Sequence, residues 1–205
     1  ETQEERFVRI PEEGGRDLIS ADPLAPGMVY AACVGEDGTI SLYRLEVGTS
    51  SGPGRLRPAG GLMREMKESI QRAFAYLQGH KVEWGLAKAL DTIDFHVEAV
   101  DLLGSAKGCE AGIAFIVALA SAVKKTPVLH GLIILGDLSI MGTIKTVFSL
   151  AELLQLAMDN GAKRALIPLE NKRNFLEVSG DTLARVDPIF YPDPRTAVAK
   201  ALGIH

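Results

Sequence analysis

The stretch "GSAKGCEAGIAF", from Gly104 to Phe115, is built like an active-site turn: small and flexible residues stand directly ahead of an apolar helical run. Such a turn offers one side chain at its mouth. Here that side chain is Glu110, with Cys109 before it and Ser105 and Lys107 in the same turn. A carboxylate at the start of a helix interacts favourably with the macrodipole, by about 0.3–1 kcal/mol. It is not the hydroxyl or thiol that acyl transfer requires.

The other residue types that carry chemistry are sparse. His80, His96, His130 and His205 show no metal-ligand spacing with one another or with Cys33 and Cys109. The two cysteines lie far apart among apolar neighbours and read as free, buried thiols of a reducing compartment. His96 points opposite Phe95 and Val97 in an alternating run, the pattern of a solvated or hydrogen-bonded histidine. No G-x-x-x-x-G-K-[ST] stretch exists, so ATP binding through a P-loop is not expected of this piece, and no cofactor is assigned to it. The net charge of −4, without a polybasic block, argues against strong binding to a nucleic-acid backbone. No run of 18 apolar residues is present, so no membrane partner is expected.

The elements that must position the turn follow from patterning. The chain has 205 residues and is 47% hydrophobic, enough for one sizeable core. It begins at Glu1 without a methionine, the expectation for a piece of a longer protein. Residues 1–26, charged and rich in Pro and Gly, read as a linker from a preceding domain, and residues 27–205 as the folded domain. "MVYAACV" and "TISLYRLEV" around "GEDG" predict a β-hairpin, with Ile40, Leu42, Leu45 and Val47 on one face. "GTSSGPGRLRPAGG" reads as a loop. Leu62, Met66, Ile70, Ala73, Phe74 and Leu77 recur at helical spacing. A second helix is expected around Val82–Leu90, with Trp84 as a core anchor.

"IDFHVEAVD" reads as a strand, Glu110–Val123 as a helix, "VLHGLIILG" as a buried strand and "DLSIMGTIKTV" as a strand or hairpin. Lys145 within it reads as an exposed strand residue. "SLAELLQLAMDNG" predicts a helix capped by Ser149 and stopped by Asn160-Gly161. "KRALIP" predicts a strand, "NKRNFLEV" a short helix, "VDPIFY" a last strand and "DPRTAVAKALG" a last helix with Pro194 in its first turn. The fold class is α/β (α+β): an N-terminal hairpin plus a mixed sheet with flanking helices.

Several of these segments together resemble a known family. "GPGRLRPAGGLMREMKESIQRAFAYL" is similar to the first segment of the Lon protease proteolytic domain. Its G-x-G-x-L-x-x-x-G-x-L-x-x-x-M-x-E-S-I-Q-x-A pattern is carried without a gap by Gly52, Gly54, Leu56, Gly60, Leu62, Met66, Glu68, Ser69, Ile70, Gln71 and Ala73. "DFHVEAVD", "KGCEAG", "LGDLSIMGTI" and "NGAKRALIPLENKRN" follow in the family's order, so the likeness runs from Met28 to Gly203. It implies the Lon proteolytic fold, of the ribosomal protein S5 domain 2-like type.

Lon domains are serine proteases with a Ser–Lys dyad. The family's P-K-D-G-P-S-A-G turn matches Gly108, Ala111 and Gly112, but its serine position is Glu110. Its G-G-L-K-E-K lysine falls on Ala151, behind Phe148 and Ser149. Neither residue can act: glutamate is no hydroxyl nucleophile and alanine is no base. Loss of one member of such a unit costs on the order of a million-fold in rate in a well-studied protease. Cys109 and Ser105, with Lys107 and Lys145 nearby, are the fallback candidates for a rebuilt nucleophile, although a shift of one residue at a helix start turns a side chain by about 100°.

The C-terminal half looks like that of the Lon-related BrxL group, found in BREX phage-defence islands. The segments that carry this are "GDLSIMGTIKTVFSLAELLQLAMDNGAKRALIP" and "VDPIFYPDPRTAVAKALG". The resemblance implies a cytoplasmic parent with an AAA+ ATPase module that binds ATP and Mg, assembly into a ring that is six-fold in the family, and association of the parent with DNA outside this domain. Three functional readings result. The first is an inactive Lon-like module serving ring assembly and partner interaction. The second is an ATP-dependent endopeptidase with a rebuilt nucleophile. The third is a partner-binding domain that uses the old substrate groove.

Overall fold

The computed structural model describes residues 17–105 and 107–204. One seven-stranded mixed sheet forms the frame. Its strands are β1 (Met28–Val34), β2 (Ile40–Ser51), β3 (Leu56–Gly60), β4 (Ile93–Asp101), β5 (Leu132–Ile134), β8 (Arg164–Pro168) and β9 (Asp187–Tyr191), in the order β3-β4-β2-β1-β5-β8-β9. The two-residue strands β6 (Asp137–Leu138) and β7 (Ile144–Lys145) pair as a separate small hairpin. β2 runs antiparallel to both β1 and β4, whereas β1, β5, β8 and β9 are mutually parallel in sequence along the sheet.

Both faces of the sheet are covered, because alternate side chains of the central strands are all apolar. Val29, Ala31 and Cys33 of β1 face one core cluster, and Tyr30 and Ala32 face the other. Helices α1 (Arg64–His80), α3 (Gly112–Lys124) and α6 (Pro194–Leu202) supply residues to the first cluster. Helix α4 (Leu150–Asp159) packs on the second through Leu150, Leu153, Leu154, Ala157 and Met158. The expectation that Ile40, Leu42, Leu45 and Val47 share a face is corrected. Leu42 faces the second cluster and Leu45 and Val47 the first, since their positions differ in parity and a strand alternates strictly.

Other expectations shift in extent. The segment read as a Gly/Pro/Ser loop holds the end of β2 and all of β3. Gly52 and Gly54 are required there by space. A Cβ on Gly52 would lie 2.3 Å from the Asp94 carboxyl carbon, and one on Gly54, at φ +79°, 1.8 Å from the Leu90 carbonyl oxygen. The second helix, α2, is Ala87–Thr92 rather than Val82–Leu90, and Trp84 packs on the core from the turn before it. "NKRNFLEV" lies in a 3-10 stretch, Leu169–Glu177, and a further short helix, α5, spans Gly180–Arg185. Ser149 occupies the N-cap position of α4 in the left-handed region and its side chain makes no capping bond.

The C-terminal motif has a mechanical reading. Asp193 caps α6 by accepting from Thr196 N at 2.8 Å, Pro194 opens the helix, and Gly203 closes it at φ +65°. Tyr191, fully buried, donates to the Leu135 carbonyl at 2.7 Å and so ties β9 to the end of β5. Residues 1–16 of the predicted linker lie outside the described residues; Ile19 is fully buried in the second cluster, and its N–H donates to the Asn160 carbonyl at 2.9 Å. No helix among the described residues is long and apolar enough to cross a membrane.

Candidate functional site

Glu110 lies two residues ahead of the first residue of α3, with Ala111 at the N-cap. It is 47% exposed. Its Oε1 accepts from Arg72 Nη2 of α1 and from Lys145 Nζ of β7, both at 2.9 Å. The same two cations also reach Asp137 Oδ2, Arg72 at 2.6 Å and Lys145 at 3.1 Å. Asp137, at the start of β6, is only 4% exposed. Its other oxygen, Oδ1, accepts from Ser69 Oγ at 2.8 Å and from the Gly112 N–H at 3.1 Å. Ser69 Oγ in turn accepts from the Ala111 N–H at 3.1 Å. Two carboxylates and two cations thus close a neutral cluster, and a buried charge is tolerated only when paired in this way.

Local sequence explains the placement. Ser69 and Arg72 are three apart on α1 and so share the face turned to the turn. Gly112 must lack a side chain, because a Cβ there would stand 2.3 Å from Asp137 Oδ1. Asn171, fully buried in the 3-10 stretch, accepts from Val147 N–H and donates to Val147 C=O, both at 2.8 Å. That clamp fixes the segment after β7 and leaves Phe148 79% exposed at the mouth of the site.

The electrostatics oppose base catalysis. Partial burial lowers the Lys145 pKa, but hydrogen bonds and charge from Glu110 and Asp137 outweigh it, and the net shift is upward. A lysine that takes a proton from a hydroxyl needs the opposite shift. Arg72 behaves alike: burial opposes its charge and Asp137 and Glu110 more than restore it. The amides of Ala111 and Gly112 are already bonded to Ser69 and Asp137, so these two donors are not aimed at a reacting oxygen.

The position matched to the family's lysine begins the next element, behind Phe148 and Ser149, which line the cleft at Glu110. Ala151 lies in the first turn of α4 and packs against the second core cluster, in a surface cleft lined with Ile40, Gln155 and Ser179. No residue lining that cleft lines the space around Glu110. The cation beside Glu110 is Lys145, which is half-buried and ion-paired rather than the exposed strand residue expected. The fallback nucleophiles are also engaged. Ser105 Oγ lies 3.0 Å from Ser41 Oγ and 3.4 Å from Asp101 Oδ2, and Lys107 pairs with Asp37 at 2.9 Å. The reading of Cys33 and Cys109 as free thiols is corrected: the two form a disulfide, with Cα atoms 5.8 Å apart. Sequence could not pair them, because 76 residues separate them and β1 meets the turn only in the fold.

Two clefts flank the turn. One, of about 380 Å³, is lined by Cys33, Gly136, Asp137 and Lys145; the other, of about 640 Å³, by Gly35, Glu65, Glu68, Arg72 and Cys109. Val34, Glu110 and Phe148 line both. Sequence reasoning gave no role to Arg72, Asp137 or Ser69. The available signal was Asp137 itself, a charge inside the apolar run "LIILGDLSI", which demands a partner when buried.

Comparisons with known proteins give the family of the chain. A family model for the Lon protease (S16) C-terminal proteolytic domain matches residues 21–202. The chain is 34% identical over 206 residues to the Lon-like protease BrxL of Escherichia coli O9:H4 (strain HS), across 100% of this chain and 30% of that protein. Against the Lon-like protease BrxL of Bacillus cereus (strain H3081.97) it is 34% identical over 205 residues, with the same coverage of 100% and 30%. Against the Lon protease of Buchnera aphidicola subsp. Schizaphis graminum (strain Sg) it is 34% identical over 138 residues, or 67% of this chain and 18% of that one. The chain therefore spans under a third of the length of these relatives.

Proposed function

Since the chain belongs to the Lon protease (S16) C-terminal proteolytic domain family, we propose that it is the Lon-like domain of a BrxL-type AAA+ protein, without peptidase activity and kept for ring assembly and partner interaction. One observation carries this: Glu110 stands in the nucleophile's place and is held by Arg72 and Lys145 in a neutral, closed cluster. At the turn's mouth a carboxylate stands for the hydroxyl, Lys145 is held in its charged form, and the Ala111 and Gly112 amides are already bonded. In this reading ATP and Mg belong to the parent's AAA+ module, DNA association lies elsewhere in the parent, and the parent acts in the cytoplasm in phage defence.

Ring contacts are heterologous, so each subunit offers two different surfaces. Interfaces below about 1,200 Å² in total are weak or transient. The isolated domain is accordingly a monomer or weak oligomer, and the full-length protein a stable, six-fold ring. Light scattering on both tests this; a full-length protein that stays monomeric with ATP and DNA removes the assembly role. The same full-length protein, given ATP and casein, leaves the casein intact. Cleavage that is lost in Ser105→Ala or Cys109→Ala would instead establish a rebuilt nucleophile.

A second reading, a partner segment seated in the old substrate groove, is favoured by the two clefts beside Glu110 and by the exposed ring of Phe148 between them. It predicts that Phe148→Ala lowers partner affinity while ring size stays the same.

A further inference from the structure

The disulfide occupies a position with a consequence of its own. Cys33 is fixed in β1, a strand hydrogen-bonded on both sides, to β2 and to β5. Cys109 sits in the turn, one residue before Glu110. The remaining ties between the turn and the β1–β2 hairpin are polar: the Tyr43 hydroxyl donates to the Lys107 carbonyl, Ser41 meets Ser105 at 3.0 Å, and Lys107 pairs with Asp37 at 2.9 Å. Cys33 lines the smaller cleft and Cys109 the larger, so the bond between them stands in the wall that separates the two.

We propose that Cys33 and Cys109 form a redox latch that sets the position of the Glu110 turn, and with it whether the two clefts are separate or joined. The chemistry is thiol–disulfide exchange with a dithiol reductant of the thioredoxin class. One reductant thiolate attacks a protein sulfur and breaks the S–S bond, giving a mixed disulfide and one free protein thiolate. The second reductant thiolate displaces the other protein sulfur and closes the reductant's own disulfide. Two electrons pass to the protein, and Cys33 and Cys109 each take up a proton. Oxidised glutathione reverses the exchange and is reduced to two thiols. In a reducing cytoplasm, cysteine pairs of this kind act transiently, as sensors or catalysts.

Packing makes the bond mechanical. Bonded sulfurs stand about 2.05 Å apart, whereas two unbonded heavy atoms need about 3.5–4 Å. Cys109 is 2% exposed and Cys33 8%, and each lines a cleft, so the added separation is taken up toward those clefts. β1 is paired with β2 along its whole length, through Cys33, and with β5 at Tyr30 and Ala31, so it yields less than the turn. The turn has one covalent tie and a few polar ones, so it moves outward and carries Glu110 away from Arg72 and Lys145. This inference does not depend on the assembly role.

The test uses the 205-residue chain equilibrated with excess oxidised glutathione or with a dithiol reductant. The oxidised form shows no titratable thiol in denaturant and an intact mass about 2 Da below the reduced form, which excludes mixed disulfides with glutathione. Amides of Lys107 to Gly112 exchange about tenfold faster or more in the reduced form. Cys33→Ser exchanges at the reduced rate in both buffers; if it lacks the near-ultraviolet dichroism of the folded chain, Cys109→Ala is read in its place. Two thiols that persist under oxidised glutathione, or equal exchange at Lys107–Gly112 in both forms, overturn the latch.

Discussion

Glu110 and Asp137 share the same pair of cations: Arg72 Nη2 and Lys145 Nζ each contact one oxygen of either carboxylate, at 2.6 to 3.1 Å. One partner is buried and the other half-exposed, so the two acids are not equivalent. Asp137 satisfies a site that cannot be left vacant, while Glu110 balances the charge at its rim.

That difference sets the first prediction. Asp137→Ala leaves two cations without their buried partner and the Gly112 amide without its acceptor. The expected cost is about 3–5 kcal/mol. Glu110→Gln removes a rim charge and costs about 0–1 kcal/mol. Urea unfolding of both variants, read at equal slope, separates the two. Equal losses would mean that the cluster is not anchored on Asp137.

On the proposed reading, a serine at position 110 does not by itself give peptidase activity. In Glu110→Ser the hydroxyl has no neutral amine beside it, because Asp137 still holds Lys145 in its charged form and Ala151 offers no base. Casein or a fluorogenic peptide remains uncut by the full-length variant with ATP. Turnover by this single variant would show that Lys145 can serve as the base.

The glycines of the first motif are unequal. Gly54→Ala puts a Cβ against the Leu90 carbonyl in the left-handed region, and costs about 3 kcal/mol or more. Gly38 has a similar φ, +80°, but open space around it, so Gly38→Ala costs only about 1 kcal/mol. Thermal melts rank the two, and comparable shifts in Tm would contradict the close approach of β3's entry to α2.

Acid should unfold the domain through its paired carboxylates. Asp94 has a lowered pKa, held down by the Arg55 amide and then by Arg57, and Asp159 is lowered by Gln155 and then Arg185. A depressed folded pKa contributes stability above the unfolded carboxylate value, and that stability is lost as pH falls through the folded one. Asp37 is lowered to about 2 but is solvent-exposed, so it adds little. Melting temperature is expected to hold from neutral pH to about 4 and to fall below it. Asp94→Asn lowers the plateau and flattens the acid limb; an unchanged limb would remove Asp94 from the account. At the other end, the raised pKa of Lys145 means its contribution is complete below the ordinary lysine value and fades as pH climbs through the raised one.

The legible parts of the molecule were those fixed by local rules. The stripe Met66, Ile70, Ala73, Leu77 gave α1, the alternation in "IDFHVEAVD" gave β4 to the residue, and the Asp193-Pro194 start gave α6. The ordered motifs gave the family, and the turn at Gly104–Gly112 gave the site. What stayed hidden depends on distant pairing. β3 reads as a loop because its partner, β4, supplies the ladder. The faces of Ile40 to Val47 were misread although parity alone divides them, because apolar residues on both faces mask the alternation. Lys145 and Arg72 reach Glu110 from 35 and 38 residues away, and the cysteines meet across 76. Such contacts leave no spacing to read.

The position of β1 constrains how the chain can be made. Its antiparallel partner, β2, follows at once, whereas its parallel partner, β5, begins at Leu132. While the chain is emerging from the ribosome, roughly a hundred residues are synthesised with one edge of an almost wholly apolar strand unpaired. An edge of that kind is a template for association with other chains. The nascent domain is most vulnerable to aggregation between completion of the first hairpin and arrival of Leu132–Ile134, a segment of only three residues on which the covering of that edge waits.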